Sequence, residues 1–459
     1  MDYSDAQWAG IAFVVLGAVL GLSTLVRRYV PLLGALFIPV SVIAGFLILL
    51  LGPQLLGAWT GTSGLIPPRV IAVWSSLPGL LINVVFAAVM LGKRLPPIQR
   101  IWDQSASHFI LGSVFSFGQF ALGAFAITFI LAPFFGVSYL AGSILELSFA
   151  GGHGTIAGMG QLLAQRGAPE LIDLGLGLAT ISMITGIIGG ALLVRWAVSS
   201  PAIPIARTST PHASESYDVD ELQVAPADVA SEFTDRGLGP VTAAFMFTAI
   251  AIAIAIIILE GLRWLTGLFN AHVFDDFPLF PLTVIGGFLV QYILTAVGRD
   301  QLVERRAVSG ISAVALDVLV ACAIGTMSLA TLGANVPALI ILTAIAVAWS
   351  VIGTLWLGPR IHPVNWFEHS IADFGQSQGN VATGFVLADM ADPERQTNVA
   401  NAYGFKQLSY EPLLGGGLLT AFSVPLIERF GPLTFGVGAT LVTVVLIVWG
   451  MARIHSYKV

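Results

Sequence analysis

The sequence predicts an all-α polytopic membrane protein built from two inverted repeats, with about 11 transmembrane helices plus two re-entrant hairpins. Three observations lead there. Of 459 residues, 56% are hydrophobic and only 10% are charged, against roughly 25% charged in a soluble domain. Two glycine-rich, polar stretches interrupt otherwise apolar sequence. The halves on either side of a polar central segment follow one plan.

A hydrocarbon core of about 30 Å takes roughly 20 apolar residues per helix. On that rule spans fall near Trp8–Leu25, Leu32–Leu51, Val70–Leu91, Phe109–Leu131 and Leu174–Val198. A broken hairpin at 137–165 precedes the last of them. These elements make up a first repeat, residues 1–198. Residues 199–239 hold four prolines, seven carboxylates, two arginines and no apolar period, and read as a solvated linker.

The second repeat, residues 240–425, places spans near Val241–Leu262, Leu279–Val297, Ala307–Ala330, Val336–Leu357 and Val399–Val424, with a second broken hairpin at 366–390. Residues 426–459 supply a last span near Leu433–Met451 and a tail. Hairpin arms this short cannot cross the membrane, which favours re-entrant loops. An offset of 224 residues aligns Ala150–Gly160 with Phe374–Gly384, and Pro169-Glu170 with Pro393-Glu394. Interrupted segments at matching places in two halves point to the binding site of a transporter.

Lys and Arg set the orientation. With the N-terminus outside, 15 of them fall on the cytoplasmic side, while Arg69, Arg166, Arg263 and Arg429 fall outside and Lys406 lies within a span. Five spans before the linker invert the second half, and the linker becomes cytoplasmic. Net charge is −6 with no basic tract, so no nucleic-acid partner is expected. Cys322 is the only cysteine, and neither HExxH nor GxxxxGK[ST] occurs. The chain is read as a non-enzyme without a cofactor, and the only metal expected is sodium. An intramembrane hydrolase and a channel are the readings from other classes.

The most informative stretch of the chain is Leu145–Gly160, with Gly151-Gly-His-Gly-Thr155 at its tip. Irregular backbone survives at membrane depth only where it lines a cavity or is buried in protein, and glycine lets a ligand approach the chain closely. Gly152, His153, Gly154 and Thr155 are therefore candidate substrate contacts, although a lone histidine is more often a hydrogen-bonded structural residue. Ser377, Gln378, Gly379 and Asn380 form the matching second tip. Free backbone donors at such tips suit a carboxylate.

Asp317 stands about 15 Å into its span by helical rise, a costly depth for a charge. It is a candidate cation ligand or proton carrier, against a carboxylate simply paired with a neighbouring helix; the cation favoured is sodium, with the Thr155 hydroxyl beside it and Asn83 at the corresponding place in the first repeat. Lys406 and Glu411 share a span and are candidates for an internal pair or for the pathway. Glu146, Asp373 and Asp389 are read as reaching toward the interface, and Gly415-Gly416-Gly417 and Gly189-Gly190 as helix packing.

The motif Gly-Gly-His-Gly-Thr at 151–155, followed by small residues, resembles the bacterial sodium/glutamate symporter family. So does the layout of two inverted halves joined by a cytoplasmic linker. The second tip departs from that pattern, reading Gly-Gln-Ser-Gln-Gly-Asn where a plain Gly-Gly-x-Gly is expected. The resemblance implies a multi-pass protein of the bacterial plasma (inner) membrane, a sodium-coupled importer of an acidic amino acid, glutamate first. Its architecture is related to citrate/sodium symporters, which implies a homodimer and an elevator-type transporter. A homodimer would use outer, charge-free spans such as Leu32–Leu51 and Leu279–Val297. A proton-coupled transporter or exporter of another small organic anion is the nearest rival.

Overall fold

The computed structural model describes residues 3–35, 38–93, 96–200, 203, 238–269 and 274–457. Within them nine helices are long and apolar enough to cross a membrane, and every regular element is helical. This is a polytopic membrane protein. Helices are the expected solution, because in hydrocarbon each backbone polar group must be bonded within its own segment. The 199–239 linker falls almost wholly outside the described residues.

The first group of helices is α1 (Asp5–Tyr29), α2 (Val40–Leu51) and α3 (Pro68–Ala88). A capping box opens α1, with Ser4 Oγ accepting from the Gln7 amide while the Gln7 side chain accepts from the Ser4 amide. Trp74 Nε1 on α3 donates to the Ala12 carbonyl of α1 at 3.1 Å. Next come α4 (Ile98–Ala126), α5 (Ile144–Phe149), α6 (Gly152–Gln165) and α7 (Glu170–Ser199). Beyond the linker lie α8 (Pro240–Gly267), α9 (Phe280–Ala296), α10 (Arg305–Thr326) and α11 (Val336–Ile352). The chain finishes with α12 (Trp366–Ser377), α13 (Val381–Ala391), α14 (Val399–Tyr410) and α15 (Leu418–Tyr457).

These helices pack as two bundles. One gathers α1, α2, α3, α8, α9 and α10; the other gathers α4, α7, α11, α14 and α15 around the broken pairs α5/α6 and α12/α13. The seam runs mainly along α6, which packs on α3 and α10. The two broken pairs are approached alike. A π-helical turn at Ile127–Leu131 leads into Ala132–Phe135, and another at Gly353–Leu357 leads into Gly358–Ile361, each short helix with proline at its second position.

Four sequence expectations shift. The second span starts at Val40, because Pro39 and Pro31 each open a separate helix. The fourth begins at Ile98, where its polar residues Ser105 and His108 are buried in protein and so tolerated at depth. The run Val399–Val424 is broken: α14 ends at Tyr410, and Gly415 and Gly416, at φ +64° and +103°, turn the chain before α15. Lastly, α15 continues through the expected final span but bends at Gly431, φ 78° and ψ 157°. Both α2 and α9, expected to form an outer wall, bury a face within the chain, including Ile43, Ala44 and Ile48 on the one and Phe280, Leu282 and Val290 on the other.

Candidate functional site

The breaks between α5 and α6 and between α12 and α13 bring their tips together. Gly152 opens α6 at φ +73°, and a Cβ built there would lie 3.7 Å from the Gly379 carbonyl oxygen. A Cβ at Gly151 would strike the Leu147 carbonyl and the Thr155 side chain. Only glycine fits this turn.

The predicted first-tip residues are present, mostly engaged by the chain itself. His153 is buried and hydrogen-bonded through Nε2 to Thr180 Oγ1 of α7 at 2.9 Å, the structural role expected of a lone histidine. Gly154 packs on Ile82 of α3. Thr155 Oγ1 donates to the Gly151 carbonyl at 2.9 Å, leaving its lone pairs facing Gly416.

The second tip is tied in from three sides. Ser377 Oγ donates to the Phe374 carbonyl at 2.9 Å and lies 3.1 Å from Ser350 Oγ. Gln119 Nε2 donates to the Ser377 carbonyl at 2.8 Å, and Ser182 Oγ to the Gln378 carbonyl at 2.7 Å. The Gln378 amide donates to Ser350 and to the Ala346 carbonyl. Asn380, the exposed member, caps α13 by accepting from the Thr383 amide at 2.9 Å. The stretch Gly375-Gln-Ser-Gln-Gly379 has the Gly-x-Ser-x-Gly spacing of a hydrolase elbow. Here it is the end of a helix, with Ser377 buried and bonded as above.

Charge pairing differs from the expectation. Lys406 is fully buried, and its Nζ donates to Asp373 Oδ1 at 2.8 Å and to Gln376 Oε1 at 2.7 Å, 4.2 Å from the centre of the Tyr410 ring. Its partner is neither Glu411 nor Asp317. Asp373 does not reach an interface; it is buried, and its Oδ2 also holds His108 Nδ1 at 2.8 Å. Gln407 Nε2 closes the network on Gln376 Oε1 at 3.1 Å.

Glu146 is also buried rather than interfacial. Its Oε1 accepts from the Gly415 amide at 3.1 Å and from Thr420 Oγ1 at 3.0 Å, while Oε2 has no hydrogen-bond partner among the described residues. The glycines 415–417, read as packing residues, thus form a turn laid against the first tip. The pair Gly189 and Gly190 does pack, against Phe374 and Leu387.

Asp317 is exposed on α10, beside the exposed Val314 and Leu316. Leu319 reaches Gly154, and two residues turn a helix by about 200°, so Asp317 points away from the tips. Asn83 stays close: its Oδ1 is buried with no hydrogen-bond partner among the described residues, and it lines a cavity of about 680 Å³. That cavity lies between α6 and the first bundle, with Asp173, Asp275, Asp276 and Arg263 in its wall. A second cavity, of about 650 Å³, lies between α13, α14 and the first bundle, lined by Lys93, Arg305, Arg306 and Glu411. Asp389 is exposed, 3.9 Å from Arg395.

The residues missed by sequence reasoning are Gln376, Gln407, Gln119 and Ser350, whose only signal is polarity inside apolar sequence. The arrangement apposes two glycine-containing tips beside a buried Lys406–Asp373 pair and the Glu146 carboxylate, whose Oε2 has no hydrogen-bond partner among the described residues.

No individually curated protein matches the chain. The family model described as "Sodium/glutamate symporter" matches residues 8–357, about three quarters of the chain, including the first tip and stopping short of the second. With its apolar helices, its paired broken segments and that match, the chain belongs to the sodium/glutamate symporter family.

Proposed function

We propose that this protein is a sodium-coupled symporter importing a small carboxylate, glutamate first, across the bacterial inner membrane by an elevator movement. The carrying observation is the meeting of two hairpin tips between two cavities, of about 680 and 650 Å³, on the seam between the bundles. The bundle bearing the hairpins is the moving part in this reading, and α1, α2, α3, α8, α9 and α10 are the wall. The similar approaches to the two broken pairs support an inverted repeat with re-entrant hairpins. The Lys/Arg count supports an outside N-terminus and a cytoplasmic linker. A homodimer supplies the fixed wall.

In this reading substrate carboxylates meet donors at the tips, around Gly152–Thr155 and Ser377–Asn380. The coupling sodium is assigned to Glu146 in place of Asp317. A hard cation takes carboxylate, hydroxyl and carbonyl oxygens, and Glu146 Oε2 is buried with no hydrogen-bond partner among the described residues, whereas Asp317 is exposed on α10. Three carboxylates and one arginine line the first cavity, which would concentrate cations.

The test is glutamate uptake into proteoliposomes under an imposed sodium gradient. Accumulation that requires sodium supports the proposal. Glutamate accumulation driven by a proton gradient alone would overturn sodium coupling, and no glutamate uptake beside proton-driven movement of another small organic anion would establish the rival reading.

A further inference from the structure

We propose that His108, His362 and His369 form a binding site for one divalent transition-metal ion of the zinc class, at the base of the second hairpin. His108 lies on α4, His369 on α12, and His362 in the turn that leads to α12. One ligand nitrogen from each falls within 4.8 Å of the others. His108 Nε2 and His369 Nδ1 are 2.7 Å apart, and the His362 ring stacks on His369 at 5.2 Å between centroids.

The second observation is His362 itself. It is 2% exposed, and neither ring nitrogen has a hydrogen-bond partner among the described residues. Asp373 Oδ2 lies 3.4 Å from its Nε2, outside hydrogen-bond geometry. A hydrogen-bonded structural trio would have no use for an imidazole left in this way. A metal ion would.

The remaining geometry suits such an ion. Bonds of about 2.0–2.1 Å at tetrahedral angles set ligand nitrogens roughly 3.3 Å apart, a spacing these rings reach by small side-chain adjustments. Asp373 accepts from His108 Nδ1 at 2.8 Å, which turns the Nε2 lone pair into the cluster, as outer-shell carboxylates do for metal-bound histidines. Binding would replace the His108–His369 hydrogen bond, its proton moving to His369 Nε2. Three neutral imidazoles favour zinc-class metals over magnesium or calcium. His369 is only partly buried and gives a way in. The site is separate from the transport reading and stands or falls without it.

The experiment uses the full-length protein without a histidine tag, stripped with EDTA in detergent. Zinc titration should show one ion per chain and raise the unfolding temperature, and cobalt(II) should give the visible absorption of a tetrahedral site. His362→Ala removes no hydrogen bond shown among the described residues, and it should weaken zinc binding about tenfold or more. His369→Gln provides the same comparison if the first variant is poorly behaved. Absence of stoichiometric zinc, or zinc affinity unchanged in these variants, overturns the proposal.

Discussion

Lys406 Nζ sits 2.8 Å from Asp373 Oδ1 in a fully buried ion pair that joins α14 to the second hairpin. Removing one partner of such a pair strands the other charge in a dry interior. We expect Lys406→Met alone to destabilise the protein by about 3–5 kcal/mol, and the double variant Lys406→Met/Asp373→Asn to recover much of that loss. Thermal unfolding in detergent measures both. Equal damage from the single and double variants would mean the pair does not act as a unit.

The pairing also shows where sequence reasoning stops. Glycine content and apolar runs marked two places where the helices break, between Tyr139–Phe149 and Gly152–Gln165 and between Trp366–Ser377 and Val381–Ala391. Helical rise gave Asp317 a depth but no direction, and its face depends on which neighbours α10 meets. Asp373 and Lys406 lie 33 residues apart, and only the packing of α14 on α12 makes them partners. The break at 411–417 escaped notice because its glycines and leucines keep the run apolar.

Glu146 and Asp317 make opposite forecasts for coupling. If sodium binds at Glu146, Glu146→Gln should abolish sodium-dependent uptake or raise the sodium requirement at least tenfold, as losing a bond to a charged group worth about 1.5–3 kcal/mol implies. Asp317→Asn, altering an exposed residue, should leave the sodium dependence unchanged. The reverse pattern in vesicle uptake would restore the assignment to Asp317.

Gly152 and Gly167 both adopt left-handed backbone, at φ +73° and +75°, but only Gly152 faces another tip. Alanine at either position carries a backbone cost of about 1–2 kcal/mol. We expect Gly152→Ala to impair glutamate affinity as well, because its methyl group intrudes beside the Gly379 carbonyl. Gly167→Ala should retain wild-type affinity. Matching uptake kinetics in the two variants would remove the tips from the substrate site.

Lys93 lies outside the membrane-spanning helices, at the mouth of the second cavity. Burial, and then the nearby Arg305, lower its pKa from 10.5 to about 8, while Glu411 pulls weakly the other way. A lowered folded-state value means the ammonium is disfavoured by the fold, so its penalty applies below about pH 8 and is relieved as pH rises toward 10.5. The cavity therefore loses one positive charge as pH passes through about 8, leaving Arg305 and Arg306 against Glu411. Anion binding from this side should weaken across that interval in wild type, and Lys93→Gln should flatten the profile at the weaker level. Substrate affinity measured from pH 7 to 9 on inside-out vesicles reads both curves, and a wild-type profile that stays level would show that Lys93 takes no part in attracting the anion.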